Sequence, residues 1–163
     1  MPDGPQRGVL QRGESVTLTD GRVVTPDDVL GEPRAGRKVV LSGDTAPCAS
    51  VVDAAAGADL LVHEATFLAD ERARARETSH STAGEAALVA QEAGVKLLAL
   101  THVSTRYFGH QVVEEATQVF PATVVPRDFD VVVIPFPERG EPELIRSGAR
   151  ADRAPASVGS AES

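Results

Sequence analysis

The sequence has few aromatic residues and a single cysteine. Only 4% of its 163 residues are aromatic, with no tryptophan and one tyrosine, so the core must consist of valine, leucine and alanine. Cys48 alone excludes a disulfide within the chain and is typical of a reducing compartment. Apolar runs are far shorter than the roughly 20 residues of a membrane-spanning helix. We therefore expect no membrane segment, no secretory signal and a cytoplasmic location.

Positive charge is also scarce. The formal net charge is −8 and the isoelectric point is near 5.0, which disfavours a general nucleic-acid-binding protein. It does not exclude an enzyme that holds a phosphate group at one local site. The basic cluster Arg72, Arg74 and Arg76 alternates with Glu71 and Glu77, and we interpret it as an exposed helix face rather than an RNA contact.

Strand-like and helix-like segments alternate along most of the chain. Asp20-Gly21 predicts a tight turn in a hairpin at 16–24. The clearest helix is 81–93, where Thr82 and Glu85 have capping-box spacing. Beyond a loop at 25–36 the order β-α-β-α-β-α-β-β indicates an α/β fold, one mixed sheet under a helix layer. The other predicted strands are 38–41, 59–62, 96–100, 123–125 and 129–136, and the other helices are 48–56, 66–78 and 111–120.

The two ends of the chain differ from this pattern. Residues 1–15 are rich in glycine and charge and resemble a connecting segment. After residue 137 the chain turns to glycine, proline, serine, alanine and arginine without periodicity. We therefore expect one domain at 1–137 and a disordered tail at 138–163.

Metal-competent side chains follow three of the predicted strands. Asp44 comes after the run Val39–Leu41, and His63 and His102 come after the next two strands. If these strands are neighbours in one sheet, their carboxyl ends meet at one edge, where α/β proteins place their sites. Imidazole and carboxylate suit zinc or a similar divalent ion. Hydrogen-bonded structural roles for the same residues remain open at this point.

Three further residues have both a functional and a structural interpretation. His80 precedes a helix start and either fixes the helix entry or transfers a proton. Glu64 is placed to orient a histidine, and Arg106 either holds a phosphate or pairs with a carboxylate. The sequence has no glycine-rich nucleotide loop, no paired CxxC and no Gly-x-Ser-x-Gly, so the enzyme classes that use those motifs are excluded.

In combination, these motifs resemble the C-terminal part of the ribonuclease Z family, zinc-dependent tRNA 3′-processing endonucleases of the metallo-β-lactamase fold. The resemblance covers residues 9–137. It includes the Gly-Glu-x-Val-Thr-Leu-x-Asp-Gly-Arg stretch that begins at residue 13. The shorter motifs are Ser-Gly-Asp-Thr at 42–45, His-Glu-Ala-Thr at 63–66, His-Ser-Thr at 80–82 and His-x-Ser-x-Arg-Tyr at 102–107.

The resemblance implies a role for each of these residues. Asp44 is similar to the carboxylate that bridges two zinc ions, His102 to a histidine ligand, and His63 to a residue that supports the ligands without binding metal. His80 is similar to the histidine that transfers a proton to the leaving group, with Glu64 as its supporting acid. Arg106 corresponds to an arginine near the scissile phosphate. The implied reaction is hydrolysis of precursor tRNA, with the two ions lowering the pKa of the attacking water.

The chain lacks the main metal motif of that family, His-x-His-x-Asp-His. Its four histidines are 63, 80, 102 and 110, too dispersed to replace it. We therefore expect half of an αββα sandwich with an exposed apolar sheet face, weak or absent zinc binding, and no activity alone. On this interpretation the chain is a truncated product or one half of a split enzyme that needs an N-terminal half or a homodimer partner. The alternatives are a remnant of another metallo-β-lactamase-type hydrolase, or a non-catalytic interaction module.

Overall fold

A computed structural model describes residues 5–29, 31 and 36–148. The chain divides into two units, Met1–Gly36 and Arg37–Ser163. In the first unit, helix α1 (Pro5–Gln11) precedes strands β1 (Val16–Thr17) and β2 (Val23–Val24). The two strands pair antiparallel, which confirms the hairpin. Helix α1 differs from the expected connecting segment because its Leu10 is buried, at 4% exposure, and anchors it.

The second unit contains a four-stranded parallel sheet in the order β3-β4-β5-β6. The α/β fold with a helix layer is therefore confirmed. The longest helix, α4, has 11 residues, and no helix in the described part of the chain could cross a bilayer. The strands are β3 (Val39–Leu41), β4 (Leu60–Glu64), β5 (Leu97–Thr101), β6 (Thr123–Val124), β7 (Val131–Val133) and β8 (Glu143–Ile145), and the helices are α2 (Ala49–Ala55), α3 (Arg72–Glu77), α4 (Ala83–Ala93) and α5 (Gly109–Thr117).

The main sheet is parallel throughout, whereas we expected a mixed sheet. Each neighbouring pair of its strands is joined by a helical crossover, which is the connection that parallel strands require. The segment between β6 and β7 is too short for such a crossover. Strand β7 instead pairs antiparallel with β8, in a separate two-stranded sheet.

Helix α4 begins and ends as the sequence predicts. The Thr82 hydroxyl accepts a hydrogen bond from the Glu85 amide at 3.2 Å, and the Glu85 carboxylate accepts one from the Thr82 amide at 3.1 Å. Gly94 closes the helix at a φ of 63°, a left-handed conformation that glycine adopts without strain. This capping box fixes the point at which the chain leaves His80 and enters the helix layer.

The sheet has one apolar face under the helices and a second on the opposite side. Leu61, Leu98 and Leu100 pack against α2, α4 and α5. Leu60 and Leu97 belong to a separate cluster, which Val132 and Ile134 partly cover. Because side chains alternate along a strand, His63 shares the helix-facing side with Leu61, whereas Glu64 shares the opposite side with Leu60. Two adjacent residues of one strand therefore occupy different environments.

The opposite face is incompletely covered at its β3 edge. Val39 is 45% exposed and Leu41 is 71% exposed, although Val39 lies in register with the buried Leu60 and Leu41 with the partly buried Val62. Strand β3 is also the first strand of the sheet, so one of its backbone edges has no neighbour within that sheet. The expected exposed apolar face is thus present along β3.

The expected disordered tail at 138–163 is partly a strand. Glu143–Ile145 form β8, in register with Val131–Val133. Arg146 closes this hairpin by pairing with Asp130 at 2.7 Å. The strand is only 3 residues long, too short to show a periodicity in the sequence. Residues 149–163 of the expected tail lie outside the described residues.

Candidate metal centre

Three polar residues meet beyond the carboxyl ends of β3 and β5. Asp44 follows β3 by three residues, His102 follows β5 directly, and the two strands flank β4 in the sheet. The His102 Nε2 atom lies 3.6 Å from the Asp44 carboxylate. His80 joins them: its ring stacks on His102 with centroids 5.3 Å apart. One ligand atom from each residue lies within 4.8 Å of the other two.

His102 reaches this position through an uncommon backbone conformation. Its φ is 53°, in the left-handed region, which histidine enters more readily than most residues other than glycine. Strand β5 therefore ends at Thr101, and the His102 ring turns toward Thr66, whose hydroxyl lies 2.8 Å from Nδ1. A residue held in this region by its contacts is typical of a functional site.

The buried Glu64 carboxylate connects the chain segments that carry the site. It is 2% exposed and accepts hydrogen bonds from three separate segments. Oε1 accepts from the Thr45 amide at 3.3 Å, the Ser81 amide at 2.9 Å and His80 Nδ1 at 2.8 Å. Oε2 accepts from the amide and the hydroxyl of Thr66 at 2.8 and 2.9 Å. One buried carboxylate thus positions the Asp44 loop, the His80 turn and the residue that contacts His102.

This network determines which imidazole nitrogens are free to bind a metal. An ionised carboxylate only accepts hydrogen bonds, so His80 carries its proton on Nδ1. The Thr66 hydroxyl donates to Glu64, so it accepts from His102 Nδ1. Both Nδ1 atoms are therefore protonated, and each Nε2 presents a lone pair. Outer hydrogen bonds of this kind commonly set the tautomer of metal-binding histidines.

Replacing Thr66 by valine should weaken metal binding about 10–100-fold, the usual cost of removing such an outer contact. Valine has a similar shape but cannot accept the His102 Nδ1 proton. Isothermal titration of the metal-free chain with zinc measures the affinity. ¹⁵N NMR of the imidazoles at alkaline pH should also show that His102 no longer holds its proton on Nδ1. Thr66→Ser keeps the hydroxyl and should match the original chain; equal affinities for both variants would contradict the assignment.

His63 does not belong to this cluster. It is 0% exposed, and its Nδ1 donates to the Glu64 carbonyl oxygen at 2.7 Å. Its Nε2 is buried and has no hydrogen-bond partner among the described residues. Burial lowers the pKa of His63 below its ordinary value. The supporting role expected for His63 remains a prediction, and its direct contact is to the Glu64 backbone.

The buried imidazole should make the fold sensitive to acid. Because the folded-state pKa of His63 lies below the unfolded value of about 6.5, the unfolded state binds more protons between those two pKa values. The contribution of His63 to the free energy of unfolding should therefore be complete above about pH 6.5 and fall below it, by at most about 1.4 kcal/mol per pH unit. His63→Asn keeps a donor near Nδ1 but does not titrate. Urea denaturation at several pH values should show a smaller acid slope for His63→Asn, and identical slopes would refute this explanation.

Arg106 is paired within the protein. Its guanidinium contacts both carboxylate oxygens of Glu71, at 2.9 and 3.1 Å. The adjacent Tyr107 hydroxyl donates to Asp70 at 3.2 Å. These contacts join the loop after His102 to the segment before α3, across 35 residues of sequence, and no local sequence pattern could reveal them. The phosphate-binding role of Arg106 remains a prediction.

The donor set suits a divalent metal ion. Two imidazole nitrogens and a carboxylate oxygen are ligands that zinc accepts, and a catalytic zinc site has three protein ligands and an open position. Sequence reasoning chose Asp44 and His102 as ligands and His80 as a proton-transfer residue. The structure brings all three together, so the position of His80 suits either a third metal ligand or a proton-transfer residue. The tautomer-setting role of Thr66 was missed, although the residue belongs to the motif at 63–66.

Known proteins of similar sequence indicate the family of this chain. A family model described as a β-lactamase superfamily domain matches residues 12–103, more than half of the chain. Ribonuclease Z of Myxococcus xanthus is 64% identical over 107 residues, which cover 66% of this chain and 35% of the relative. Ribonuclease Z of Brevibacillus brevis is 49% identical over 141 residues, which cover 82% of this chain and 44% of the relative. The chain thus spans less than half the length of these relatives.

Solved structures give the same result. The metallo-β-lactamase fold protein YhfI of Bacillus subtilis is 31% identical with a TM-score of 0.51, covering 55% of this chain and 36% of that protein. The short form of human tRNase Z is also 31% identical, with a TM-score of 0.50, covering 69% of this chain and 36% of that protein. The chain therefore belongs to the β-lactamase superfamily, and within it the resemblance to ribonuclease Z is confirmed.

Proposed function

We propose that this chain supplies one wall of a metal-dependent tRNA 3′-endonuclease. The observation that carries the proposal is the convergence of Asp44, His80 and His102 over the buried Glu64 carboxylate. The similarity to ribonuclease Z, at up to 64% identity, supports precursor tRNA as the substrate. A cytoplasmic location is consistent with such a substrate and with the single cysteine.

Asp44 and His102 would hold the metal, and zinc is the ion that this donor set favours. A bound divalent ion lowers the pKa of a coordinated water and stabilises negative charge on a phosphodiester. These two residues are half exposed, at 59% and 49% of their side chains. Few ligands in an open position give low affinity, so we expect weak zinc binding by this chain alone.

The contacts and the partial exposure of His80 suit it to proton transfer. Glu64 accepts a hydrogen bond from His80 Nδ1 at 2.8 Å and so fixes the orientation of the ring. The Nε2 atom can then carry a second proton, which it would give to the leaving oxygen as the phosphodiester breaks. The His80 side chain is 21% exposed, so its ring is sheltered but open to solvent on one side. We therefore assign proton transfer to His80 and Glu64, with metal binding by His80 as the competing role.

Arg106 would contact the substrate phosphate. Its pairing with Glu71 holds the guanidinium in a defined orientation, and its side chain is still 47% exposed. A guanidinium carries five donors in a planar fork, so it can keep one carboxylate contact while donating to a phosphate oxygen. Glu71 would thus position Arg106 rather than compete with the substrate.

The rest of the metal centre would come from residues outside the present sequence. Three donors are fewer than the ligand set of a two-metal site, and the chain spans 35% and 44% of two ribonuclease Z relatives. The exposed Leu41, at 71%, marks the apolar face that such a segment would cover. The family resemblance makes an N-terminal half the expected partner, and a second copy of this chain is the alternative.

A hybrid protein tests the reaction itself. In it, this chain replaces the matching 107 residues of the Myxococcus xanthus ribonuclease Z. We expect cleavage of precursor tRNA at the end of the acceptor stem, leaving a 3′-hydroxyl on the mature tRNA. Cleavage of a small phosphodiester but not of precursor tRNA would instead indicate another hydrolase of the superfamily. A folded hybrid that binds no metal and cleaves neither substrate would indicate an interaction module and refute the proposal.

A further inference from the structure

A cavity of about 740 Å³ lies beside the loop that follows His102. One wall is that loop, from Val103 to Tyr107, and another is the start of α5. This loop follows His102 directly and also bears Arg106, so the cavity adjoins the candidate metal centre along the chain. None of the roles assigned above uses the cavity.

The most unusual side chain of the cavity is Phe108. It is 71% exposed, although most large aromatic rings are buried. Its ring stacks on His110, with centroids 5.8 Å apart and planes 12° apart. Stacking covers only one face of the Phe108 ring, so its other face can act as a flat aromatic platform in the cavity lining. Exposed platforms of this kind bind nucleobases by stacking, with little dependence on sequence.

The charges of the cavity suit a single phosphate. The Arg146 guanidinium already donates hydrogen bonds to the Asp130 carboxylate at 2.7 Å and to the Val125 carbonyl oxygen at 3.0 Å. Arg127 is exposed, and in the described part of the chain its guanidinium has no carboxylate partner. Glu114 is the acidic residue of the lining. One free guanidinium beside one carboxylate cannot hold a duplex backbone, but it can bind the phosphate next to a stacked base.

We propose that this cavity, the Phe108 pocket, binds one unpaired nucleotide of RNA, its base on Phe108 and its phosphate on Arg127. The choice of RNA rests on the proposed function, since the pocket adjoins the cluster that would cleave the phosphodiester. The acidic net charge of −8 agrees with local recognition of a single-stranded end rather than with binding along a helix. An RNA end bound in the pocket would position the substrate relative to His80 and Arg106.

The test is an NMR titration of the metal-free full chain with a short single-stranded RNA. We expect the largest shifts at the amides of Gly109 and His110. Phe108→Ala should weaken binding about tenfold, as expected for the loss of one stacked base, and Phe108→Tyr should retain affinity. Phe129→Ala is the matched control, because Phe129 is 89% exposed and lies outside the pocket lining. Arg127→Gln should lower the salt dependence of binding by about 0.7 in the slope of log K against log salt.

Several results would overturn the inference. These are absence of binding by the original chain, equal affinities for Phe108→Ala and Phe129→Ala, or equal binding of blunt duplex RNA. A change of oligomeric state on Phe108→Ala, with no change in RNA affinity, would show that the platform contacts protein. The titration needs neither metal nor cleavage, so an inactive hybrid would refute the proposed function and leave the pocket result standing. A hybrid that cleaves precursor tRNA with the same KM after Phe108→Ala would refute the pocket alone.

Discussion

Replacing Glu64 by alanine should destabilise the sheet unit by about 3–5 kcal/mol, the cost of removing the acceptor from several buried donors. The carboxylate is 2% exposed, and it accepts from the amides of Thr45, Thr66 and Ser81. Alanine leaves these amides and the His80 Nδ1 proton without their acceptor. Urea denaturation followed by circular dichroism measures the effect.

A matched control is available on helix α4. Glu92→Ala removes a carboxylate from an exposed position, and its effect should stay within about 0.5 kcal/mol, as is usual for surface changes. Glu64→Gln, which keeps the shape and one acceptor oxygen, should fall between the two. If Glu64→Ala and Glu92→Ala unfold at the same urea concentration, the carboxylate does not hold the three segments together.

In the active hybrid, Asp44→Ala and His102→Ala should each lower kcat/KM for precursor tRNA at least about 1,000-fold, equivalent to about 4 kcal/mol of lost transition-state stabilisation. Each change removes one donor from a group whose ligand atoms lie within 4.8 Å of one another. Zinc content, measured by mass spectrometry, should fall in parallel.

The control for these variants is Asp53→Ala. Asp53 is an exposed carboxylate on α2, so its replacement should leave both cleavage and zinc content unchanged. If Asp44→Ala retained full zinc content and lost activity, Asp44 would act on the substrate rather than on the metal. If neither Asp44→Ala nor His102→Ala changed cleavage, the candidate metal centre would be wrong.

The strands β3, β4 and β5 and the meeting of Asp44 with His102 could be predicted because they follow from short-range patterns, whereas the all-parallel order of the sheet was not predicted. Apolar runs of strand length end just before both residues, and parallel strands bring their ends to one edge. The start of α4 was equally predictable, since Thr82 and Glu85 encode the cap in adjacent residues. Local rules of this kind need no knowledge of tertiary contacts.

Other features depend on partners far apart in the chain. The Arg106–Glu71 pair spans 35 residues, and the same arginine could equally have faced solvent. The Thr66 hydroxyl acts only because Glu64, at the end of β4, and His102, directly after β5, both reach it. Strand β8 exists because Val131–Val133 offers it a partner. Such features appear only when the backbone has placed both partners.

The most direct test of the half-site account is precursor-tRNA cleavage by this chain alone and after mixing with the N-terminal portion of the Myxococcus xanthus ribonuclease Z. Both reactions contain the same protein concentration and excess zinc. We predict no cleavage above background by the chain alone, and cleavage at the end of the acceptor stem after mixing. Robust cleavage by the chain alone would contradict the account, because the donors described here would then form a complete site.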